Sequence, residues 1–266
     1  MPAARAAVRR RDWEGLEHMY KVVWVARFRE GISPQDARRH WSEVHAPLGR
    51  RVGGIERYVQ SHVLSALGPL GVSEAPAAFD GYSCCWYRDR ETFEASLATP
   101  EWAAVGVDSP NLFDDNRWDG SSASLDARTI IEGPLAPFKT VWFVRFNADV
   151  RADPQRAREA HEYWIAEHGG HFGTRVPGIT RYVQNHVLSA IGAEGEVEGT
   201  AMDFDGFSEC WFADRAAFEL AMASPEWLRM NEDAEQLFDL DYVVPAMSAV
   251  LADHVVVEHA GEPLPA

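Results

Sequence analysis

Polar and apolar residues alternate with a period of two through Tyr58-Val-Gln-Ser-His-Val-Leu64 and again through Tyr182-Val-Gln-Asn-His-Val-Leu188. That period predicts a strand with two unlike faces. One face carries Tyr58, Gln60 and His62, or Tyr182, Gln184 and His186. The other carries Val59 and Val63, or Val183 and Val187. Both runs sit inside a longer match, Gly54–Ala66 against Gly178–Ala190, an offset of 124 residues. Only Glu56/Thr180 and Ser61/Asn185 differ. One long offset near half the chain marks duplication of a whole domain rather than a short-period solenoid.

Around this strand both copies read alike. A strand is predicted over Lys21–Phe28 and Lys139–Phe146. Ser33-Pro34 and Asp153-Pro154 then set a capping residue before a proline at the first helical position. The helix is expected to run through Trp41 to His45, and through Trp164 to His168. Pro47 and Gly49, or Gly169-Gly170, should halt it. After the duplicated strand, Phe79-Asp-Gly and Phe204-Asp-Gly open a third strand ending at Trp86 and Trp211. A second helix follows over Arg90–Leu97 and Arg215–Met222. Thr99-Pro-Glu-Trp102 and Ser224-Pro-Glu-Trp227 begin a further short helix. The runs Thr129–Ile131 and Val255–Val257 are the last strands. The order β-α-β-β-α-β predicts an α+β protein of two ferredoxin-like repeats. A sheet with helices on one face leaves the other bare. The two bare faces are therefore expected to cover each other, in a pseudo-twofold sandwich or barrel with a chamber between them. On this reading residues 1–18 are a basic N-terminal arm, 19–133 the first repeat and 134–266 the second.

The net charge of −16 disfavours nucleic acid and anionic membrane surfaces as partners. No apolar run approaches the length of a membrane span. Arg5, Arg9, Arg10 and Arg11 are followed by no apolar segment of the secretory type. Cys84, Cys85 and Cys210, odd in number and two of them adjacent, fit reduced thiols and a cytoplasmic setting.

Trp41-x-x-x-His45-Ala-Pro-Leu48, Tyr-Val-Gln, Asp80-Gly81 before an aromatic strand, and Ser/Thr-Pro-Glu-Trp follow one another in order. The second copy has Tyr163-Trp164-x-x-x-His168, Tyr182-Val-Gln184, Asp205-Gly206 and Ser224-Pro-Glu-Trp227. Together they resemble the EthD-like family of dimeric α+β barrel proteins, over about residues 20–259. The resemblance implies a barrel normally made by two chains and here fused into one. It also implies small-molecule chemistry without an obligate cofactor: isomerisation, cyclisation, dehydration or decarboxylation of aromatic or polyketide-like molecules. The second copy departs from the pattern after its helix histidine, with Gly169-Gly170-His171 in place of Ala46-Pro47-Leu48.

Histidine is the natural proton carrier near neutral pH. His45 and His168, four residues after a tryptophan, are candidate proton-transfer groups. Alternatively, they interact with the end of the helix. His40 lies about 140° from His45 on a regular helix and should not point with it. Tyr58, Gln60 and His62, with Tyr182, Gln184 and His186, would form a row of donors in the chamber, or satisfy one another between the sheets. Trp24, Trp41, Trp86, Trp142, Trp164 and Trp211 would wall the chamber. Two positions break the symmetry. Glu209 stands against Cys84, and in an aromatic-lined space its pKa would rise so that it could act as acid or base; the alternative is an ion pair with Arg27 or Arg145. His171 has no match and is a substrate-binding candidate or a loop residue. No metal-ligand spacing, phosphate loop or nucleophile elbow is present. The expectation is an enzyme without cofactor, acting by general acid/base chemistry on an aromatic or hydrophobic small molecule. A barrel-type monooxygenase, with haem as an option but no evident ligand, and a non-catalytic binding protein are the alternatives. A homodimer of the fused barrel stays open.

Overall fold

A computed structural model describes residues 19–68, 71–73, 76–114, 121–197, 202–243 and 247–258. The N-terminal arm lies outside the described residues.

The first repeat runs β1 (Tyr20–Ala26), α1 (Pro34–His40), a π-helical segment (Trp41–His45), α2 (Ala46–Gly49), β2 (Ile55–Gly68), β3 (Gly71–Ser73), β4 (Gly81–Tyr87), α3 (Arg90–Leu97), α4 (Pro100–Leu112) and β5 (Ser122–Ile131). The second runs β6 (Phe138–Val144), α5 (Ala148–Arg151), α6 (Pro154–Tyr163), a π-helical segment (Trp164–Phe172), a 3-10 turn (Gly173–Arg175), β7 (Ile179–Gly192), β8 (Gly195–Val197), β9 (Gly206–Phe212), α7 (Arg215–Met222), α8 (Pro225–Leu237), α9 (Leu240–Val243) and β10 (Ser248–Glu258).

Within each repeat the antiparallel sheet has the order β5-β1-β4-β2 or β10-β6-β9-β7. The repeats then join edge to edge, β5 on β7 and β10 on β2, which closes an eight-stranded barrel. Closure removes the four free edges that two separate sheets would leave. The expected two-repeat α+β barrel is therefore observed, and its seams run along the duplicated strands themselves.

The inside of the barrel is packed, not hollow. Val23, Val25, Val59, Tyr82, Trp86, Leu125, Val141, Phe143, Phe207 and Leu251 form one core drawn from both repeats. Phe143 sits 4.8–5.2 Å, ring to ring, from Phe79, Phe204 and Phe207. A void of about 60 Å³ lies among Lys21, Lys139, Glu209, Tyr82, Trp86 and Trp211. This overturns the expected chamber between the sheets: aromatic side chains from both halves meet on the barrel axis and fill it.

The valine face of the duplicated strand points into this core. The Tyr/Gln/His face points outward, under the helices. There Tyr58 packs with Ala46, Val52 and Phe93, and Tyr182 with Val176, Phe212 and Phe218. The Asp-Gly motif explains how helix and strand meet. Asp80 and Asp205 each accept the Phe28 or Phe146 backbone N–H at 2.8 Å. A Cβ on Gly81 or Gly206 would lie 2.7 Å from the Trp41 or Trp164 ring, so only glycine admits the indole.

Three local expectations fail for identifiable reasons. Pro47 does not stop its helix, because α2 follows the π-helical segment without a break and the helix ends two residues later, at Gly49 as expected. Gly169-Gly170 does not stop the second helix either, since the π-helical segment runs through both. The Pro-Glu-Trp helices are long, at 13 residues each. Their caps are as expected: Thr99 and Ser224 accept the Trp102 and Trp227 N–H at 3.2 and 3.1 Å.

Candidate functional site

Two cavities lie on the outer faces of the barrel, one beneath each repeat's helices. The first, about 450 Å³, is walled by Trp24, Trp41, His45, Tyr58, Ser83, Cys85, Trp102 and Phe113, with Ile191 to Ala193 from the other repeat. The second, about 400 Å³, is walled by Trp142, His168, Tyr182, Ser208, Cys210, Trp227 and Phe238, with Gly68 from the other repeat. Paired indoles line both: Trp24 against Trp102 at 5.6 Å, Trp142 against Trp227 at 5.5 Å. Such cavities suit a drug-sized, mostly apolar ligand.

Each cavity holds one imidazole anchored by a carboxylate. His45 Nδ1 is 2.9 Å from Asp108 Oδ2, and His168 Nδ1 is 2.8 Å from Asp233 Oδ2. The Nδ1 bond leaves Nε2 as the nitrogen available to the cavity, in the manner of an oriented general base. Burial lowers the His45 pKa, against the opposing pull of Asp108. Burial would raise Asp108, but its bonds to His45 and His40 hold it below the ordinary range. Asp233 is likewise held low against burial by His168 and Tyr163.

Asp108 and Asp233 escaped the sequence reading, which expected only a short helix after each Pro-Glu-Trp motif. Both stand eight residues after the helix-opening proline, at Pro100 and Pro225. A carboxylate at the same distance in both copies was the available signal. Contrary to expectation, His40 and His45 point to the same side and share Asp108. The Ala46 N–H bonds the Trp41 carbonyl, an i→i+5 turn that brings residues five apart onto one side. His40 Nε2 thus reaches Asp108 at 2.9 Å, beside His45. In the second copy Tyr163 takes that place and donates to Asp233 at 2.5 Å.

The π turns also absorb an insertion. Gly49 and Gly173 are the equivalent glycines, each lying where a Cβ would be 2.8 Å from Cε1 of Tyr58 or Tyr182. His45 precedes its glycine by four residues and His168 by five, so the longer π segment houses one extra residue. His171 lies in that stretch and is exposed, against Phe172. It does not line the cavity.

Other candidates are redistributed. Gln60 Nε2 donates to Tyr58 Oη at 2.8 Å and to the Trp41 carbonyl at 3.2 Å. Gln184 does the same to Tyr182 and Trp164, both at 2.9 Å. His62 and His186 pack at a tilt against Trp41 and Trp164, with ring centres 4.5 and 4.3 Å apart. Burial lowers the pKa of His62 to about 4 and of His186 to about 3. Neither lines a cavity, and burial favours the neutral form of both. His186 bonds His161 and Gln184, whereas both nitrogens of buried His62 lack a partner among the described residues.

Glu209, Trp86 and Trp211 belong to the barrel interior. Glu209 lies 2.7 Å from Lys139 and 3.6 Å from Lys21 and accepts from Tyr82 at 2.7 Å and Asn185 at 3.0 Å. Burial would raise its pKa, but the two ammonium groups outweigh burial and hold it far below the usual range. The expected raised-pKa acid is thus a fixed anion. Its partners are lysines; Arg145 pairs instead with Asp203. Trp86 and Trp211 face the same lysines, Lys21 over Trp86 at 4.6 Å and Lys139 over Trp211 at 5.1 Å. Among the described residues no three His, Cys, Asp or Glu side chains gather to hold a metal ion. None of the described helices is long and apolar enough to cross a membrane.

The sequence profile of the EthD domain matches residues 29–116 and 152–241, and each match spans one His–Asp pair. The chain belongs to the EthD domain family. Its two EthD repeats share their fold with a solved anthrone oxidase-like protein, at 15% identity and a TM-score of 0.56, over 94% of this chain and 96% of that one. An EthD family protein from Bacillus halodurans is 25% identical over 35% of this chain and 85% of its own, with a TM-score of 0.29. A chlorite dismutase mutant from Candidatus Nitrospira defluvii covers 92% of this chain and 95% of its own, at 11% identity and a TM-score of 0.49. No curated protein matches the chain.

Proposed function

We propose that each outer cavity is an acid–base site in which His45 or His168 removes a proton from a planar, largely apolar molecule. The observation that supports this most directly is the carboxylate-anchored imidazole in an aromatic-walled cavity, present in both repeats. Asp108 and Asp233 fix the tautomer, with Nδ1–H donating to the carboxylate and Nε2 free to accept. Each carboxylate also stabilises the imidazolium that forms. The indole walls orient a flat ring and exclude water, which strengthens the electrostatics of the transfer.

Proton removal alone does not fix the product. The resulting carbanion can be reprotonated elsewhere, expel a leaving group, close a ring or meet dioxygen. Cyclisation, isomerisation, dehydration and cofactor-free oxygenation all share this first step, whereas decarboxylation reaches the same carbanion by losing carbon dioxide and would use the histidine only to return a proton. One solved protein of this fold is named anthrone oxidase-like, and anthrone is a suitable probe: a flat tricyclic ketone whose methylene protons are acidic.

The test is deuterium exchange into that methylene, followed by NMR in anaerobic D2O at neutral pH. The expected result is catalysed exchange that falls at least a hundredfold in His45→Gln/His168→Gln, with melting behaviour preserved. Oxygen uptake after admission of air would assign the later step to oxygenation. Equal exchange by the wild type and the double variant would remove both histidines from the mechanism.

A further inference from the structure

The direction of the hydrogen bonds beneath each cavity fixes what its tyrosine can do. The Trp41 and Trp164 carbonyls can only accept, so the amide nitrogen of Gln60 and Gln184 must face them. That nitrogen's second N–H then donates to the tyrosine oxygen, at 2.8 and 2.9 Å. In the second copy this orientation places Gln184 Oε1 3.2 Å from His186 Nε2, where it accepts from the Nε2–H tautomer. Each phenol therefore receives a bond from behind and must send its own proton elsewhere.

The cavity is where that proton can go. Tyr58 and Tyr182 line the two cavities beside Ser83 and Ser208. The contact of Tyr182 Oη with Ser208 Oγ is 3.3 Å, long for an O–H···O bond and easily given up to a ligand. Burial pushes the Tyr182 phenol up to about 12 and the Tyr58 phenol higher still, so both stay protonated in any working range. The ring positions are clamped by the two glycines, where even a methyl group would strike Cε1.

We infer that Gln60 and Gln184 are positioning residues that hold Tyr58 and Tyr182 as hydrogen-bond donors, making each cavity selective for a ligand with a carbonyl or other acceptor oxygen. This rests on the proposed role of His45 and His168 and narrows its substrate to a carbon acid activated by a carbonyl. As the C–H bond breaks, the proton passes to histidine Nε2. The electron pair moves into the ring system and onto the carbonyl oxygen. The tyrosine O–H bonds that oxygen more strongly as it becomes an enolate, the arrangement that lowers a barrier.

The test uses 9-fluorenone, a flat tricyclic ketone with no acidic proton, and reads its carbonyl stretch by infrared difference spectroscopy with the whole protein. Bound to the wild type, the band is expected at lower wavenumber than in an apolar solvent. Tyr58→Phe/Tyr182→Phe should still bind the ketone but return the band to the unbonded position. Gln60→Met/Gln184→Met keeps the phenols but frees their orientation. It should lose most of the shift and slow anthrone exchange about a hundredfold. A merely structural glutamine would leave the band in place while lowering the melting temperature. An unshifted wild-type band, or a shift that survives in the phenylalanine variant, overturns the donor assignment. A full shift in the methionine variant overturns the role of the glutamines. Because fluorenone cannot be deprotonated, loss of anthrone exchange in the histidine variants stands or falls separately.

Discussion

Glu209→Gln separates a charge that holds the barrel together from one that does chemistry. The carboxylate is fully buried and neutralises Lys139 at 2.7 Å and Lys21 at 3.6 Å. Asp253 still serves Lys139 in the variant, at 2.9 Å, but no other carboxylate pairs with Lys21 in the described structure. The glutamine also points an amide at groups that donate, since both Lys21 and Asn185 offer N–H to that side. Removing one partner of a buried ion pair costs about 3–5 kcal/mol. For a chain of this size that lowers Tm by roughly 10 °C. Urea unfolding at pH 7 should show the loss, while anthrone exchange per folded molecule stays at the wild-type rate. The sign of the pH dependence follows from the lowered pKa. Glu209 contributes stability above its unfolded value of 4.5, and that contribution drains away as pH falls below it. The gap between wild type and variant should therefore be full at pH 7 and shrink below about pH 4.5. A variant as stable as the wild type, or a gap that widens in acid, would refute this reasoning. A variant that folds normally but exchanges slowly would return Glu209 to the catalytic set.

Asp108→Asn/Asp233→Asn should slow exchange by about 10²–10⁴-fold with little change in binding, since the imidazole loses its tautomer and its counter-charge; unchanged rates would reduce the carboxylates to structural groups. Because burial lowers the His45 pKa below 6.5, the base is neutral at pH 7, and exchange assigned to the first cavity in a His168→Gln background should fall only at pH values below 6.5. Gly49→Ala/Gly173→Ala forces the tyrosine rings aside and should cost about 1–3 kcal/mol in denaturant titration together with loss of exchange. His62 is buried and neutral with a folded pKa of about 4, so its stability contribution is present above 6.5 and lost as pH falls through 4; His62→Leu should move the acid-unfolding midpoint downward without loss at pH 7.

The periodicity of the duplicated strand carried most of the fold. It located β2 and β7, exposed the duplication and, with the capped prolines, ordered the helices. What alternation cannot supply is the direction of each face. Val59 and Val183 against Tyr58 and Tyr182 mark two environments, but either face can turn toward the partner sheet. Closing the barrel decides the matter, because the inward positions of eight strands share one narrow axis and must fill it. That event left Tyr58 and Tyr182 outside, while Glu209, Trp86 and Trp211 point inward as expected. The His45–Asp108 contact depends on two features with weak sequence signals: the full length of α4 and the π turn that rotates Trp41 to His45. The β-branched runs at Thr129–Ile131 and Val255–Val257 marked only the ends of β5 and β10, since Ala123, Ser124 and Ala249 give no strand signal on their own.

Fusion of the repeats bears directly on the sites. Neither cavity is walled by one repeat: Ile191, Gly192 and Ala193 at the end of β7 cover the first, and Gly68 at the end of β2 reaches the second. The same long strands form the barrel seams with β5 and β10. Barrel closure and cavity closure are thus one event, and a shift of register at either seam would open the site beyond it. The seam strands are held at their far ends by unlike contacts. Over the first cavity Glu196 on β8 pairs with Arg90 at 2.7 Å and accepts from Tyr20 at 2.6 Å. Over the second, the matching position on β3 is Val72, packed into the apolar cluster of the other repeat. A single chain permits that division, because two identical chains would have to place the same residue over both cavities.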